Sequence, residues 1–370
     1  MPKAIEQFNP SRLTLARRRR GLSKTALAEQ IGVDRRAINA YEKAEYEPAE
    51  DTLSKLERAL GFPMRFFFGD DLDEPTAASA SFRAMSRMTA AQRDMALGEG
   101  ALALHLNRWL ESRFQLPEAT FPDLDRQLTP AAAAASLRAA WARGELPIKN
   151  MIHLLESKGV RVFSLDIDAR EVDAFSMWQD STPFVFLNLQ KSAEHSRFDA
   201  AHELGHLVLH RHGGPQGREA EQEADAFASE FLMPRSSVLA RAPHFAILPA
   251  LIQLKKIWIV SVAALTHRLH SLGVLSEWHY RSLCIEMAGK GYRTHEPDPA
   301  PPETSLVLPK IFTALRTDGV TRLDVASELC LTEEELSKLL FRLVMTGLRG
   351  GKSAAEMPER RTAPQLTLLE

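Results

Sequence analysis

Cysteine is scarce in this chain of 370 residues, which has only two, Cys284 and Cys330. They stand far apart, and each lies among apolar neighbours. Two cysteines cannot form a disulfide framework or a cysteine-rich zinc site. We therefore expect both to be buried packing residues.

Long apolar runs are also lacking, since none approaches the ~20 residues that are needed to span a membrane. The first residues, MPKAIEQFNPSRL, are too polar for a signal peptide. No internal repeat is present. These absences argue against membrane and secreted proteins, and we expect a cytoplasmic protein that is nucleoid-associated when it is bound to DNA.

The composition is ordinary for a globular protein, with 45% hydrophobic and 25% charged residues. The formal net charge of −2 hides an uneven distribution along the chain. Between Met1 and Lys43 there are ten lysines and arginines against four acidic residues. This local excess of positive charge favours a polyanionic partner for the N-terminal part.

Residues 23–62 have the pattern of short helices around a tight turn. Ser23 and Asp34 are placed to cap two successive helices, and Gly32 supplies a turn in which positive φ costs little. In such a helix-turn-helix, the second helix enters the major groove with its N-terminal residues at the base edges. The pattern resembles the Cro/repressor-type (XRE) helix-turn-helix, which implies a five-helix domain that binds double-stranded DNA.

The outward residues of these two helices are the candidate DNA contacts. Arg35, Arg36 and Asn39 have the chemistry that reads guanine and adenine. Three further residues and the run of arginines at 17–20 are expected to contact phosphates. The three residues are Lys24, Thr25 and Lys43. A small helical bundle that binds protein, with the arginines on a solvated face, is the alternative.

A metal-binding pattern, H-E-x-x-H, occurs at residues 202–206. His202 and His206 are one helical turn apart on one face, so both can reach one Zn²⁺ at about 2.0–2.1 Å. Glu203 is placed to take the proton of the attacking water as a general base. His210 continues the four-residue spacing, and we expect it to end the helix or to support a ligand histidine rather than to be a ligand.

A catalytic zinc site needs a third protein ligand, and the next helix offers three glutamates. Glu221 and Asp225 are four residues apart on one face, so Glu221 can be a ligand while Asp225 orients a zinc histidine. Glu223 points about 200° away from Glu221 around the helix. Glu219 lies nearer the start of the helix. We therefore predict Glu221 as the third ligand.

Residues 130–235 resemble the ImmA/IrrE family of zinc metallo-endopeptidases. The resemblance covers the GVRVF, DAFSMW and PFVFLN segments, the helix RFDAAHELGHLVLH, and EQEADAFASEFLMP. It implies a minimal zincin (gluzincin-like) domain whose members relieve repression by cleaving a helix-turn-helix repressor. Because the helix-turn-helix is part of this chain, the substrate is the protein itself, another subunit or a separate repressor.

The later segments have the spacing of a helix-turn-helix, but their residues do not indicate a clear function. Around residues 251–275 we expect a three-helix unit that packs against the peptidase domain, and the alternative is phosphate contact by five basic side chains. These are Lys255, Lys256, His267, Arg268 and His270. In the segment 321–343, the run of glutamates at 333–335 would repel DNA and favours protein packing or dimerisation. His279, Tyr280 and Tyr292 are candidate hydrogen-bond donors in the reaction.

Together these patterns predict a mostly helical α+β protein with a small sheet. The strands are expected at 160–166, 172–178 and 183–188, with turns at Ala169 and at 180–182. The main site helices are expected at 192–210 and 219–232, with a mobile loop at 212–217 between them. The predicted divisions are a helix-turn-helix domain (1–72), a linker and helical connector (73–129), a zinc metallopeptidase domain (130–240), a helix-turn-helix-like helical domain (241–300), a helical C-terminal region (301–349) and a disordered tail (350–370).

The function that fits these divisions is a transcriptional regulator with a zinc-dependent endopeptidase domain, acting in a stress or phage and mobile-element response. We expect a homodimer on DNA, with a repressor or a toxin protein as a further partner. Two alternatives use the same fold without cleavage. One is a ligand-sensing transcription factor, and the other is the antitoxin of a toxin–antitoxin pair.

Overall fold

The computed structural model describes residues 7–75, 89–125, 127–165, 174–211, 217–292 and 294–344. Within these ranges the chain has 16 α-helices and a three-stranded sheet, which confirms the predicted fold class. The predicted turn at Ala169, residues 212–216 of the predicted loop and the tail after residue 350 lie outside the described residues.

The N-terminal domain confirms the predicted caps and turn. Its elements are α1 (Pro10–Arg19), α2 (Lys24–Ile31), α3 (Arg35–Glu42), α4 (Glu50–Leu60) and a 3-10 helix (Met64–Phe68). The backbone N–H of Ala26 donates to Ser23 Oγ, and that of Arg36 donates to the Asp34 carboxylate. Gly32 ends α2 with φ of +71°, a conformation that favours glycine. The fifth helix of the predicted domain is thus a 3-10 helix.

The predicted connector contains a long helix, α5 (Ala90–Glu111), which is packed on both sides. A Cβ added at Gly98 would lie 3.2 Å from the Cα of Arg19, so glycine permits this close approach of α5 to α1. At the other end of the helix, Asn107 and Glu111 accept hydrogen bonds from the guanidinium group of Arg161. The helix therefore joins the N-terminal domain to the sheet through direct contacts.

Two helices precede the sheet in the chain, α6 (Pro130–Ala140) and α7 (Met151–Ser157). Its strands are β1 (Arg161–Ser164), β2 (Ala174–Gln179) and β3 (Thr182–Leu187), in the spatial order β1-β3-β2. β3 pairs in parallel with β1 and antiparallel with β2. All three predicted strands are confirmed, and Asp180 makes the predicted β2–β3 turn with φ of +54°.

Two helices pack against the sheet and against each other, α8 (Ala193–Leu209) and α9 (Arg218–Leu232). Ser192 caps α8 by accepting from the backbone N–H of His195. A Cβ added at Gly205 would lie 3.2 Å from the Cα of Ala224 and 3.1 Å from the Phe227 ring. The glycine in the H-E-x-x-H pattern therefore allows α8 and α9 to approach closely.

Seven further helices follow α9 in the described part of the chain. They are α10 (Arg235–Leu239), α11 (Leu248–Leu254), α12 (Val262–Ser271), α13 (Glu277–Gly289), α14 (Val307–Thr317), α15 (Arg322–Glu328) and α16 (Glu333–Leu339), with a short 3-10 turn at Lys255–Ile257. No single helix among the described residues is long and apolar enough to cross a membrane. Leu248–Ile257 and Val262–Ser271 meet the length and composition criteria only as a pair, bent by 96°.

Phosphate contact by the basic residues of the 3-10 turn and α12 is wrong for Lys255 and Arg268. Lys255 is 2% exposed, and its Nζ lies 2.9 Å from Glu194 and 3.1 Å from Glu296. Arg268 is buried and pairs with Glu230. Charges that are paired inside the protein cannot meet DNA, which favours the expected packing role of these helices.

Three of the four arginines at 17–20 pair with carboxylates inside the protein, which argues against the run as a row of phosphate contacts. Arg17 pairs with Glu42 at 2.6 Å, and Arg19 is 3% exposed and pairs with Glu99. Both Arg19 and Arg20 pair with Glu335 of α16, at 3.4 and 2.8 Å. The expected packing role of the acidic run at 333–335 is thus confirmed at Glu335, which joins α16 to the N-terminal domain.

Replacing Glu335 with alanine is expected to lower the free energy of unfolding by about 3–5 kcal/mol, because a buried charge left without its partner is strongly destabilising. Denaturant titration measures this change. Glu334→Ala is the matched control, because Glu334 is exposed and its pair with Lys338 should contribute about 0.5 kcal/mol or less. Equal unfolding midpoints for Glu335→Ala and Glu334→Ala would contradict the structural role.

The same network predicts a loss of stability in acid. Burial raises the pKa of Glu335, but the charges of Arg19 and Arg20 outweigh burial and hold the pKa below its ordinary value. A lowered pKa stabilises the fold above the ordinary glutamate pKa, and this contribution is lost as the pH falls through the lowered value. The stability difference between wild type and Glu335→Ala should therefore shrink in acid.

Candidate metal centre and DNA-binding face

The predicted ligands His202, His206 and Glu221 come together between α8 and α9. Glu221 Oε2 lies 3.3 Å from His202 Nε2, and its Oε1 lies 3.3 Å from His206 Nε2. The two Nε2 atoms are 3.1 Å apart. In the described part of the chain, this is the one group of at least three histidine, cysteine or acidic residues whose ligand atoms are close enough to hold a metal ion.

The pKa shifts of His202 and Glu221 show that this group favours a positive charge between its members. Burial lowers the pKa of His202, but hydrogen bonds to Asp225 and Glu221 outweigh burial and raise the pKa to about 10. Burial raises the pKa of Glu221, while hydrogen bonds to the two histidines lower it to about 2. A carboxylate between two imidazoles is a donor set that a divalent cation satisfies.

The Nδ1 atom of each of the two histidines contacts a further side chain. His202 Nδ1 lies 2.8 Å from the Asp225 carboxylate, which places Asp225 where the sequence predicts it. His206 Nδ1 lies 2.9 Å from Nδ1 of His210, the residue that caps the C-terminus of α8. His210 Nε2 in turn lies 3.0 Å from Glu223 Oε2. Every acidic residue from 221 to 225 therefore contacts a histidine of α8 or of its C-cap.

Glu203 is 3% exposed and lies between α8 and the sheet. Its Oε2 accepts a hydrogen bond of 2.6 Å from Ser176 Oγ on β2. Its negative charge also helps to raise the pKa of His202, its neighbour in the sequence of α8. The sequence did not single out Ser176, although the strand alternation of the DAFSMW segment places it on one face with Ala174 and Trp178.

A further acidic residue, Asp199, lies one helical turn before the ligands on α8. Burial raises the pKa of its carboxyl, while His195 and Lys191 oppose that effect. Asp199 Oδ2 has no hydrogen-bond partner among the described residues. The four-residue spacing of 191, 195, 199 and 203 indicates this row of polar residues, which extends beyond the H-E-x-x-H pattern.

Of the other predicted donors, Tyr280 lies on α13. Tyr280 stacks on His270 at 4.4 Å between ring centroids, so it belongs to the packing of α12 against α13. Burial raises the pKa of the Tyr280 hydroxyl, and its neighbour Cys284 adds to the effect. Among the described contacts, none joins Tyr280 to the metal-binding group.

The predicted DNA-binding residues lie in or next to α2 and α3. Arg35 and Arg36 are exposed in the first turn of α3, and Thr25 and Lys43 are exposed as well. Lys24 and Asn39 contact each other, because Lys24 Nζ donates to Asn39 Oδ1 at 2.9 Å. Lys24 also pairs with Glu42.

Two family models match the chain. One, described as the IrrE N-terminal-like domain of peptidase family M78, matches residues 155–270, which include the whole metal-binding group. The other, described as a helix-turn-helix, matches residues 13–67. No curated protein matches the chain. The two matches confirm the predicted fusion of an XRE-type helix-turn-helix domain and an ImmA/IrrE-like, metallopeptidase-like domain.

Proposed function

We propose that this fusion is a transcriptional regulator whose helix-turn-helix domain binds double-stranded DNA and whose ImmA/IrrE-like domain is a zinc-dependent endopeptidase. The observation that carries the proposal is the convergence of His202, His206 and Glu221 beside the buried carboxylate of Glu203. The ligand set and an adjacent acid are the combination that metal-assisted peptide hydrolysis needs.

The donor set fits Zn²⁺. Two imidazole nitrogens and one carboxylate form a three-ligand set that is typical of catalytic zinc, and it leaves a fourth position open. Bound zinc would polarise the scissile carbonyl and activate the attacking water. His202 and His206 would hold it through Nε2, because their Nδ1 atoms face Asp225 and His210.

The chain's own residues would move the proton. Glu203 would accept it from the attacking water and deliver it to the leaving amine. Ser176 donates a hydrogen bond to one carboxylate oxygen of Glu203 and so fixes the orientation of this side chain. Since Ser176 lies on the β2 strand, the base is tied directly to the sheet.

We propose this chain itself or a separate helix-turn-helix repressor as the substrate, in a stress or mobile-element response. We also propose a homodimer as the form that binds DNA.

Mass spectrometry tests the proteolytic function. The purified protein is incubated with zinc, alone and with a cellular extract, and new peptide termini are compared with a sample that contains a metal chelator. We expect fragments that require zinc. Intact protein and unchanged extract in both samples would instead favour the non-cleaving alternatives, a ligand sensor or an antitoxin.

A DNA-binding prediction follows from the exposed side of α3. Alanine at Arg36 or Asn39 should each weaken binding to the specific site by about 1–3 kcal/mol, because each would remove hydrogen bonds to a base. Lys43→Ala should weaken all duplexes alike and flatten the salt dependence. Fluorescence anisotropy at several salt concentrations measures both effects.

The control for this experiment is Arg58→Ala, which removes an exposed arginine from α4, away from the proposed contacts. Its binding should match that of the wild type. A triple alanine variant at Arg35, Arg36 and Asn39 that keeps full affinity would show that this side of the domain does not read DNA.

A further inference from the structure

The last turn of α8 holds an unusual contact between two histidine rings. His206 Nδ1 and His210 Nδ1 are 2.9 Å apart, which is hydrogen-bond distance between two ring nitrogens. The other nitrogen of His210 lies 3.0 Å from a carboxylate oxygen of Glu223 on α9. The His210 side chain is 13% exposed, so it is largely removed from water.

The direction of these hydrogen bonds follows from the chemistry at each end. A carboxylate only accepts, so His210 donates to Glu223 through an N–H at Nε2. A neutral His210 then has an unprotonated Nδ1, which accepts from His206. His206 therefore carries its hydrogen on Nδ1, and its Nε2 keeps the lone pair that a metal needs.

We propose that His210 and Glu223 are positioning residues for His206, and that they fix its ring and its tautomer for binding the metal through Nε2. This inference rests on the proposed zinc site. Asp225 holds His202 directly at 2.8 Å, whereas Glu223 holds His206 through one intervening ring. The two supports come from the same helix as the ligand Glu221.

This arrangement gives each acidic residue of the alternating pattern at 221, 223 and 225 its own role. Steps of two residues rotate about 200° around a helix, so Glu223 leaves the side that carries Glu221 and Asp225. It reaches past the end of α8 to His210, which is one turn beyond His206. The ligand group is thus supported at both ends.

Zinc affinity of His210 variants, measured by chelator competition, tests the proposal. His210→Ala should weaken zinc binding roughly 10–100-fold, as losses of groups that orient a metal ligand do. His210→Asn should retain affinity within about threefold of the wild type, because its amide oxygen occupies the position of Nδ1 and accepts from His206. Glu223→Ala, two hydrogen bonds from the ligand, should lose only a few fold.

The control is His267→Ala, which removes an exposed histidine from α12. It should bind zinc as the wild type does. The absorption spectrum of the cobalt-substituted protein gives a second readout, because a merely structural role for His210 would leave the ligand geometry unchanged. We expect the spectrum to change in His210→Ala and to return in His210→Asn.

Three outcomes decide the question. Weaker zinc binding in His210→Ala together with recovery in His210→Asn supports the positioning role. If wild type and His210→Ala bind zinc equally, or if His210→Asn is as weak as His210→Ala, the role is overturned. If the wild type itself does not bind zinc, the proposed metal centre fails first.

Discussion

Glu203→Gln is expected to keep its zinc and to lose cleavage by about 10²–10⁴-fold, the range that a positioned general base contributes. The variant keeps the shape of the side chain, and the amide oxygen can still accept from Ser176 Oγ. It cannot accept the proton of the attacking water. Metal content by mass spectrometry and rates of peptide-bond cleavage measure the two properties separately.

Two variants sharpen this experiment. Glu219→Gln, an exposed change on α9, should leave both metal content and cleavage unchanged. Ser176→Ala should lower cleavage less than Glu203→Gln does, because it frees the base without removing it. Cleavage by Glu203→Gln at the wild-type rate would show that Glu203 is not the base, or that a contaminating protease cuts the substrate.

Features set by neighbours in sequence could be predicted. The caps at Ser23 and Asp34, the turn at Gly32 and the approach of His202 and His206 all depend on spacings of a few residues. Helical periodicity is sufficient for these because it fixes which side chains share a face. The orientation of His202 by Asp225 could be predicted once both helices were assumed to face each other.

Long-range contacts could not be predicted in this way. The arginines at 19 and 20 have the sequence of a DNA-binding surface, yet their partner Glu335 is more than 300 residues away. Lys255 is a similar case, because its partner Glu194 is distant in the sequence and only the fold brings the two side chains together. Local pattern gives the sign of a charge but not its partner, and the partner decides between a surface contact and a buried pair.

The contact of His210 with Glu223 shows both what periodicity predicts and what it cannot predict. Periodicity correctly turns Glu223 away from Glu221. It does not show that Glu223 reaches His210, although the end of the helix at His210 is expected from the sequence. The crossing of the two helices determines this, and the close approach at Gly205 sets that crossing.

Glu221→Ala is expected to lower zinc affinity by on the order of 100-fold or more, because the direct ligand should exceed the 10–100-fold effect of groups that only orient a ligand. Both carboxylate oxygens of Glu221 are engaged, each 3.3 Å from an Nε2 atom. Asp225→Ala removes only the support of His202 and should therefore lose less. Isothermal titration with zinc gives the affinities of all variants.

The acidic residues of α9 provide the matched comparison for this last prediction. Glu219 is exposed in the first turn, so Glu219→Ala should bind zinc as the wild type does. Glu223→Ala should stay within a few fold, because Glu223 acts on His206 only through His210. From the highest to the lowest zinc affinity, the expected order of the variants is therefore Glu219→Ala, Glu223→Ala, Asp225→Ala and Glu221→Ala. If Glu223→Ala loses the metal while Glu221→Ala keeps it, the third ligand lies on the opposite side of α9 from the one proposed.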